Sequence, residues 1–194
     1  MDEPLTRWAF TVAFGLLACY LVGRVVAEIR KPLQAVMHLL HLLMAVVMVA
    51  MAWPWWGYLP ALPQVLVFSA GAAWFVVLAV LLATGRVSHF DTGCHGPLHQ
   101  VSHAASMLAM VWMLVVMAPT GDAPITHHHA ALGAGAVLTG TAVTAAMAVS
   151  AVALLVETFD ALRRPRTVLP GPVDAGSGVV MSAGMAAMCW MMLG

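Results

Sequence analysis

Apolar residues run in six long segments along this chain, and short breaks rich in proline, glycine or charge separate them. A helix needs roughly 20 consecutive apolar residues to cross a hydrocarbon core about 30 Å thick. The sixth segment is shorter, at about 15 residues, so we expect it to begin nearer Ala175 or to cross a locally thinned bilayer. The pattern predicts an all-α integral membrane protein with six transmembrane helices, near residues 8–26, 35–53, 65–83, 98–117, 130–156 and 179–193.

The composition agrees with this pattern and excludes several classes of function. Of the 194 residues, 62% are hydrophobic and 8% are charged, whereas a soluble domain carries about 25% charged residues. Six spans leave only short loops, so we expect a single six-span membrane domain over residues 1–194. The formal net charge is zero, which leaves no basic surface for nucleic acid.

The positions of arginine and lysine predict the orientation in the membrane. All basic residues except Arg7 lie in or beside the first, third and fifth connections, and connections rich in positive charge stay cytoplasmic. Arginine greatly outnumbers lysine, as in proteins from GC-rich bacteria. We therefore expect a bacterial plasma-membrane protein with both termini extracytoplasmic. An outer aromatic belt would then contain Trp8, Trp53, Trp55, Trp56, Trp112 and Trp190.

The first apolar segment could be mistaken for a secretory signal peptide. Asp2 and Glu3 precede it, and only Arg7 opposes their charge, whereas a signal peptide begins with a positively charged region. The apolar run also continues through Val26, beyond a cleavage position before Cys19. We therefore expect an uncleaved first helix.

A short motif, M-x-A-M-x-W, occurs three times, at residues 48–53, 107–112 and 185–190. Each copy lies toward the end of an even-numbered predicted helix. A recurring element of this kind indicates repeated units. We therefore expect three helical hairpins, related by quasi-threefold symmetry.

Methionine is concentrated in the same three helices, which hold 13 of the 15 methionines. At about 100° per residue, methionine and histidine form one stripe on each helix, within arcs of roughly 80°, 120° and 60°. Three such stripes can face one axis. Their members are Met37, His41, Met44, Met48 and Met51; His99, His103, Met107, Met110, Met113 and Met117; and Met181, Met185, Met188 and Met192.

Four histidines fall within the predicted spans, in pairs three or four residues apart. Imidazole is costly in hydrocarbon, so we expect these side chains to face the bundle interior. The spacing puts both rings of a pair on one helix face, and thioether plus imidazole is a ligand set that suits Cu(I). The predicted copper ligands are His38, His41, Met44, Met48, Met51, His99, His103, Met107, Met110, Met185 and Met188.

Two further groups of possible ligands flank the spans. Cys94 and His95, near His89 and Asp91, would lie at the inner mouth, and residues 127–129 are three consecutive histidines at the outer side. The outer group, His127, His128 and His129, would collect the metal. The protein would then hold Cu(I) or pass it across the lipid bilayer, with a copper chaperone or a membrane complex as partner.

Several other interpretations fit the same residues. Methionine packs adaptably, so the stripes can be plain core, and the histidines can be interhelical hydrogen-bonding groups. The chain would then be a structural or assembly subunit of a membrane complex. A third interpretation is a redox protein with haem b between His41 and His103, for which Ala104 and Ala105 supply small residues on one helix only.

The sequence lacks the residues that several other activities require. No Asp or Glu lies in mid-span to relay protons, no P-loop is present, and no G-x-S-x-G surrounds a serine. We therefore expect that the protein is not an enzyme.

Two stretches resemble a known family. Residues 38–53, HLLHLLMAVVMVAMAW, and residues 103–113, HAASMLAMVWM, are similar to an actinobacterial membrane family named domain of unknown function 5134. The resemblance covers nearly the whole chain and implies a small multi-span bacterial membrane protein. It assigns no activity or ligand. The residues that match the family pattern are His41, Met44, Met48, Met51, His103, Met107 and Met110.

Overall fold

The computed structural model describes residues 4–87, 97–117, 134–163 and 172–193, and all of its regular structure is helical. A short 3₁₀ helix, Pro54–Tyr58, follows the second long helix. The six long helices are α1 (Pro4–Ala27), α2 (Pro32–Met51), α3 (Ala61–Ala83), α4 (Pro97–Met117), α5 (Ala134–Arg163) and α6 (Pro172–Leu193).

Prolines set most of the helix starts. Proline is favoured in the first turn because its fixed φ suits the helix and its missing N–H would have no partner there. Helix α3 begins immediately after Pro60, and every other helix named above except α5 begins at a proline. A proline also ends α2 before the predicted position. Pro54 disfavours helical geometry at Trp53, so α2 stops at Met51, and the predicted end at residue 53 was wrong by two residues.

Helices α1 to α5 contain segments long and apolar enough to cross a membrane. The apolar segment of α6, Gly176–Met191, is shorter, as the sequence predicted for the sixth segment. Many large apolar side chains point outward, including Leu5, Leu16, Leu62 and Leu138. Length, composition and this apolar exterior indicate a helical bundle surrounded by a lipid bilayer.

Each odd-numbered helix packs most extensively against the helix that follows it: α1 on α2, α3 on α4, and α5 on α6. Helix α4 also contacts α5 and α6, and α6 contacts α1. Helix α4 therefore contacts α3, α5 and α6, so its side chains can meet those of several neighbouring helices.

Small residues allow two of the close approaches between helices. A Cβ added to Gly184 would collide with the ring of Phe14, so this glycine lets α6 meet α1. A Cβ added to Gly71 of α3 would lie 3.3 Å from Leu40 Cδ2 on α2, which is closer than most side chains pack. Close packing at small residues is a common means of helix association in membranes.

The interior is built mainly from methionine and phenylalanine, and every long helix contributes to it. The largest side chains that are essentially fully buried are Phe14, Phe68, Phe75, Met44, Met48, Met107, Met110, Met113, Leu114, Met147, Met185 and Met188. Six of these are predicted copper ligands. The core and the candidate site therefore occupy the same part of the molecule.

At one end of the bundle, tryptophans join α1 to the end of α2. The Trp8 and Trp53 rings pack edge to face, with centroids 5.4 Å apart. The indole N–H of Trp53 donates to Thr11 Oγ1 at 3.1 Å. Trp53 therefore closes this end of the helix pair although it lies outside α2.

A candidate histidine and methionine site

The predicted methionine ligands all lie in the interior of the bundle. In α2, α4 and α6 their periodicity places them on the buried face, and none of the seven faces lipid. Met51 is the most exposed of them, at 5%. The buried methionines at predicted ligand positions are Met44, Met48, Met51, Met107, Met110, Met185 and Met188.

His41 of α2 and His103 of α4 form a direct contact between helices. His41 Nε2 and His103 Nδ1 are 3.0 Å apart, and the ring centroids are 4.4 Å apart with the planes at 76°. His103 is only 9% exposed. His41 is half-buried, so a hydrogen bond joins the two imidazoles at the margin of the core.

The backbone fixes the direction of this hydrogen bond. His41 Nδ1 lies 2.7 Å from the carbonyl oxygen of Met37. A carbonyl oxygen only accepts, so His41 Nδ1 carries the proton and Nε2 of the neutral ring is the acceptor. His103 Nδ1–H therefore donates to His41 Nε2.

Two further rings surround this pair. The Phe75 ring of α3 lies 5.9 Å from His41 and 5.2 Å from His103, between centroids. His99 packs edge to face on His103 at 4.4 Å. Three predicted histidine ligands, His41, His103 and His99, are thus contiguous.

His38, the fourth predicted histidine ligand, has a different partner. Its Nε2 lies 2.8 Å from Glu28 Oε2, and the other carboxylate oxygen of Glu28 lies 2.6 Å from Arg24 Nη2. Both Arg24 and His38 retain some exposure. His38 therefore belongs to an ion-pair cluster that ties the end of α1 to α2.

The remaining predicted sites lie outside the described residues. These are the inner-mouth ligands Cys94 and His95 and the outer histidines His127, His128 and His129.

The comparisons with known proteins give one match, to a family. The family model described as "Domain of unknown function (DUF5134)" matches residues 33–192. The chain belongs to the DUF5134 family. The match contains His41, His103 and all three copies of the M-x-A-M-x-W motif. No curated protein and no solved structure matches the chain.

Sequence reasoning missed two buried groups of this DUF5134 protein. Met147 of α5 is almost fully buried, and its sulfur lies 3.8 Å from the Ser106 hydroxyl of α4, which donates to the Ser102 carbonyl at 3.0 Å. Met147 was missed because it lies on an odd-numbered helix without a stripe. Gln100 is fully buried one turn before His103, and a lone glutamine in line with a histidine and methionine stripe is a signal that could have revealed it.

The donor set limits how this interior could hold a metal. Within residues 4–87, 97–117, 134–163 and 172–193, no group of three or more His, Cys, Asp or Glu side chains is arranged so that it could hold a metal ion, and the three contiguous histidines are no exception. A metal bound at the histidine pair of the DUF5134 protein would therefore need thioether sulfur to complete its coordination.

Proposed function

We propose that this DUF5134 protein binds Cu(I) in its interior, with His41 and His103 at one end of a methionine-lined core. The observation that supports this best is the contact between half-buried His41 and buried His103, together with the burial of the methionine stripes of α2, α4 and α6. Imidazole and thioether together are a ligand set that suits Cu(I).

The spacing of the two imidazoles suits a bridging metal ion. Two nitrogens bound at about 2.0–2.1 Å to one tetrahedral or trigonal ion lie roughly 3.3–3.5 Å apart. The observed separation of His41 Nε2 and His103 Nδ1 is 3.0 Å. A small outward movement of the rings, with transfer of the His103 proton from Nδ1 to Nε2, would admit the ion.

The charge of the surroundings also favours Cu(I). The buried cluster around the pair contains methionine, phenylalanine and alanine and no carboxylate among the described residues. Burying an ion without an opposite charge is costly, and the cost rises with the charge of the ion. Cu(I) is monovalent and prefers soft ligands, so it suits this interior better than Zn²⁺ or Mg²⁺.

A haem between the same two rings is a weaker candidate. Axial ligands on one iron must stand on opposite faces of a macrocycle, whereas these nitrogens share a hydrogen bond at 3.0 Å. The rings would have to separate widely for haem to enter. A visible spectrum of the purified protein distinguishes the two, because bis-histidine haem has an intense Soret band.

We further propose a path for the metal. With both termini extracytoplasmic in a bacterial plasma membrane, the path would connect an outer collection site at residues 127–129 with Cys94 and His95 at the inner mouth. A cytoplasmic copper chaperone or a membrane complex would be the partner there. Three helical hairpins with one M-x-A-M-x-W element each would surround the path. The positive-inside distribution of arginine supports this orientation.

Metal analysis tests the proposal directly. The protein is purified in detergent, stripped of metal, loaded with Cu(I) under anaerobic reducing conditions and desalted, and its copper is measured by mass spectrometry. We expect saturable copper that a weak Cu(I) chelator does not remove. If no copper is retained, the methionines act as packing residues, as in a structural or assembly subunit.

A further inference from the structure

The carboxamide of Gln100 is isolated inside the bundle. The residue is 0% exposed, and neither Oε1 nor Nε2 has a hydrogen-bond partner among the described residues. Gln34 of α2 is the other buried glutamine, and it does have an interaction partner. Other buried polar atoms also lack a partner, among them Gln64 Oε1, but Gln100 is fully buried and both of its polar atoms are unpaired among the described residues, which calls for a physical explanation.

The sequence repeat places Gln100 in the same layer as the histidine pair. Gln100 precedes Met107 by seven residues, just as His41 precedes Met48 by seven, and both methionines begin a copy of M-x-A-M-x-W. Gln100 is thus the counterpart of His41 on α4. It also lies three residues before His103, where two side chains of a helix are neighbours, about 5–6 Å apart at Cβ.

An unpaired carboxamide in this position is costly. In a lipid environment a buried polar group without a partner is strongly unfavourable. Because Gln100 has no exposed surface, neither a lipid headgroup nor a second copy of the chain can reach it. Since no group within residues 4–87, 97–117, 134–163 and 172–193 pairs with the carboxamide, the partner that we infer is a small molecule or ion inside the bundle.

The chemistry of the carboxamide selects among such partners. A cation would pair only with Oε1 and leave Nε2 without an acceptor. An anion would pair only with Nε2 and would add an uncompensated charge. Water both donates and accepts, and buried waters typically bridge polar groups that would otherwise be unpaired.

We propose that Gln100 binds a water molecule inside the bundle, at the level of His103. The water donates to Oε1 and accepts from Nε2, and the imidazole one turn along α4 lies within its reach. Gln100 is in the first turn of α4, so the site lies near one end of the span, where water is supplied from the aqueous phase. The site is independent of the proposed copper, since the carboxamide needs a partner with or without a metal.

A nearly isosteric substitution tests the proposal in metal-free protein. Gln100→Met keeps the length of the side chain and removes both polar atoms. If water is bound, the variant loses its hydrogen bonds, and the midpoint of thermal unfolding in detergent falls by about 4 °C. An unchanged or higher midpoint overturns the proposal, because deleting a truly unpaired polar group is neutral or stabilising. Gln34→Met is the comparison, since it removes a buried glutamine that has a partner.

A second measurement detects the water itself. The chain has three glutamines, Gln34, Gln64 and Gln100, so selective ¹⁵N-glutamine labelling gives few side-chain amide signals, and Gln100→Met assigns one of them. We expect a direct magnetisation transfer between water and the Gln100 amide protons. A folded protein without this transfer contradicts the proposal whatever the stability result.

Discussion

His103 donates a hydrogen bond from Nδ1 to Nε2 of His41, and this 3.0 Å contact links α4 to α2 inside the bundle. The carbonyl of Met37 holds the other nitrogen of His41. The backbone of α2 therefore sets the orientation of the His41 ring, and His41 in turn fixes the position of His103 Nδ1.

The energy of the histidine pair can be isolated with a double-mutant cycle. His41→Ala, His103→Ala and the double variant are compared by equilibrium unfolding in mixed micelles without metal. We expect a coupling free energy of about 1 kcal/mol, because the second substitution removes a bond that the first has already broken. The cycle of His38→Ala with His103→Ala is the control and should be additive, since His38 pairs with Glu28. Additivity of His41 and His103 would contradict the hydrogen bond.

Copper affinity should depend on the methionine stripes and not on methionine in general. Met48→Leu combined with Met107→Leu removes two thioethers at nearly constant volume, so stability changes by less than about 1.5 kcal/mol per substitution. We expect the Cu(I) affinity, measured by chelator competition, to fall about tenfold or more.

The matched control for the methionine stripes is Met147→Leu. Met147 is also almost fully buried, but it lies on α5 and its sulfur is next to the Ser106 hydroxyl. The Met147→Leu substitution should therefore change the Cu(I) affinity only slightly. If Met147→Leu and the Met48→Leu, Met107→Leu double variant lose Cu(I) affinity equally, the loss comes from changed core packing.

The approach of α6 to α1 should tolerate no added side chain at Gly184. An alanine Cβ there would collide with the ring of Phe14, which is itself almost fully buried. Overpacking of this kind costs roughly 1–3 kcal/mol, so the unfolding midpoint of Gly184→Ala should fall by several degrees. Gly15→Ala is the control, because a Cβ at Gly15 meets nothing within 4 Å and alanine favours the helix by up to about 1 kcal/mol.

The proposed orientation can be tested by labelling single cysteines in a cysteine-free background. Tyr58 follows α2 and is 80% exposed, and Arg86 follows α3 and is also exposed. A membrane-impermeant maleimide should label Tyr58→Cys in intact cells and Arg86→Cys only after the cells are opened. The reverse pattern would place the termini in the cytoplasm.

The sequence by itself determined the helical elements and the inward face of the methionine-bearing helices α2, α4 and α6. Six apolar segments, a proline at most helix starts, and the 3.6-residue period of the methionines follow from local composition and spacing. Because the period defines one face of each helix, the burial of Met44, Met107 and Met185 could be predicted without a fold. The end of α2 was predicted two residues too late, although Pro54 in the sequence already disfavours a helical conformation at Trp53.

Only the tertiary structure decided which inward-facing groups meet. The period fixes the direction of a side chain around its own helix axis, but not the rotation and displacement of one helix against another. His38 and His41 look equivalent in the sequence. Packing of α1 on α2, however, makes Glu28 the partner of His38. Packing between α2 and α4 makes His103 the partner of His41. The burial of Met147 and the isolation of Gln100 arise in the same way, from contacts between helices that are distant in the chain.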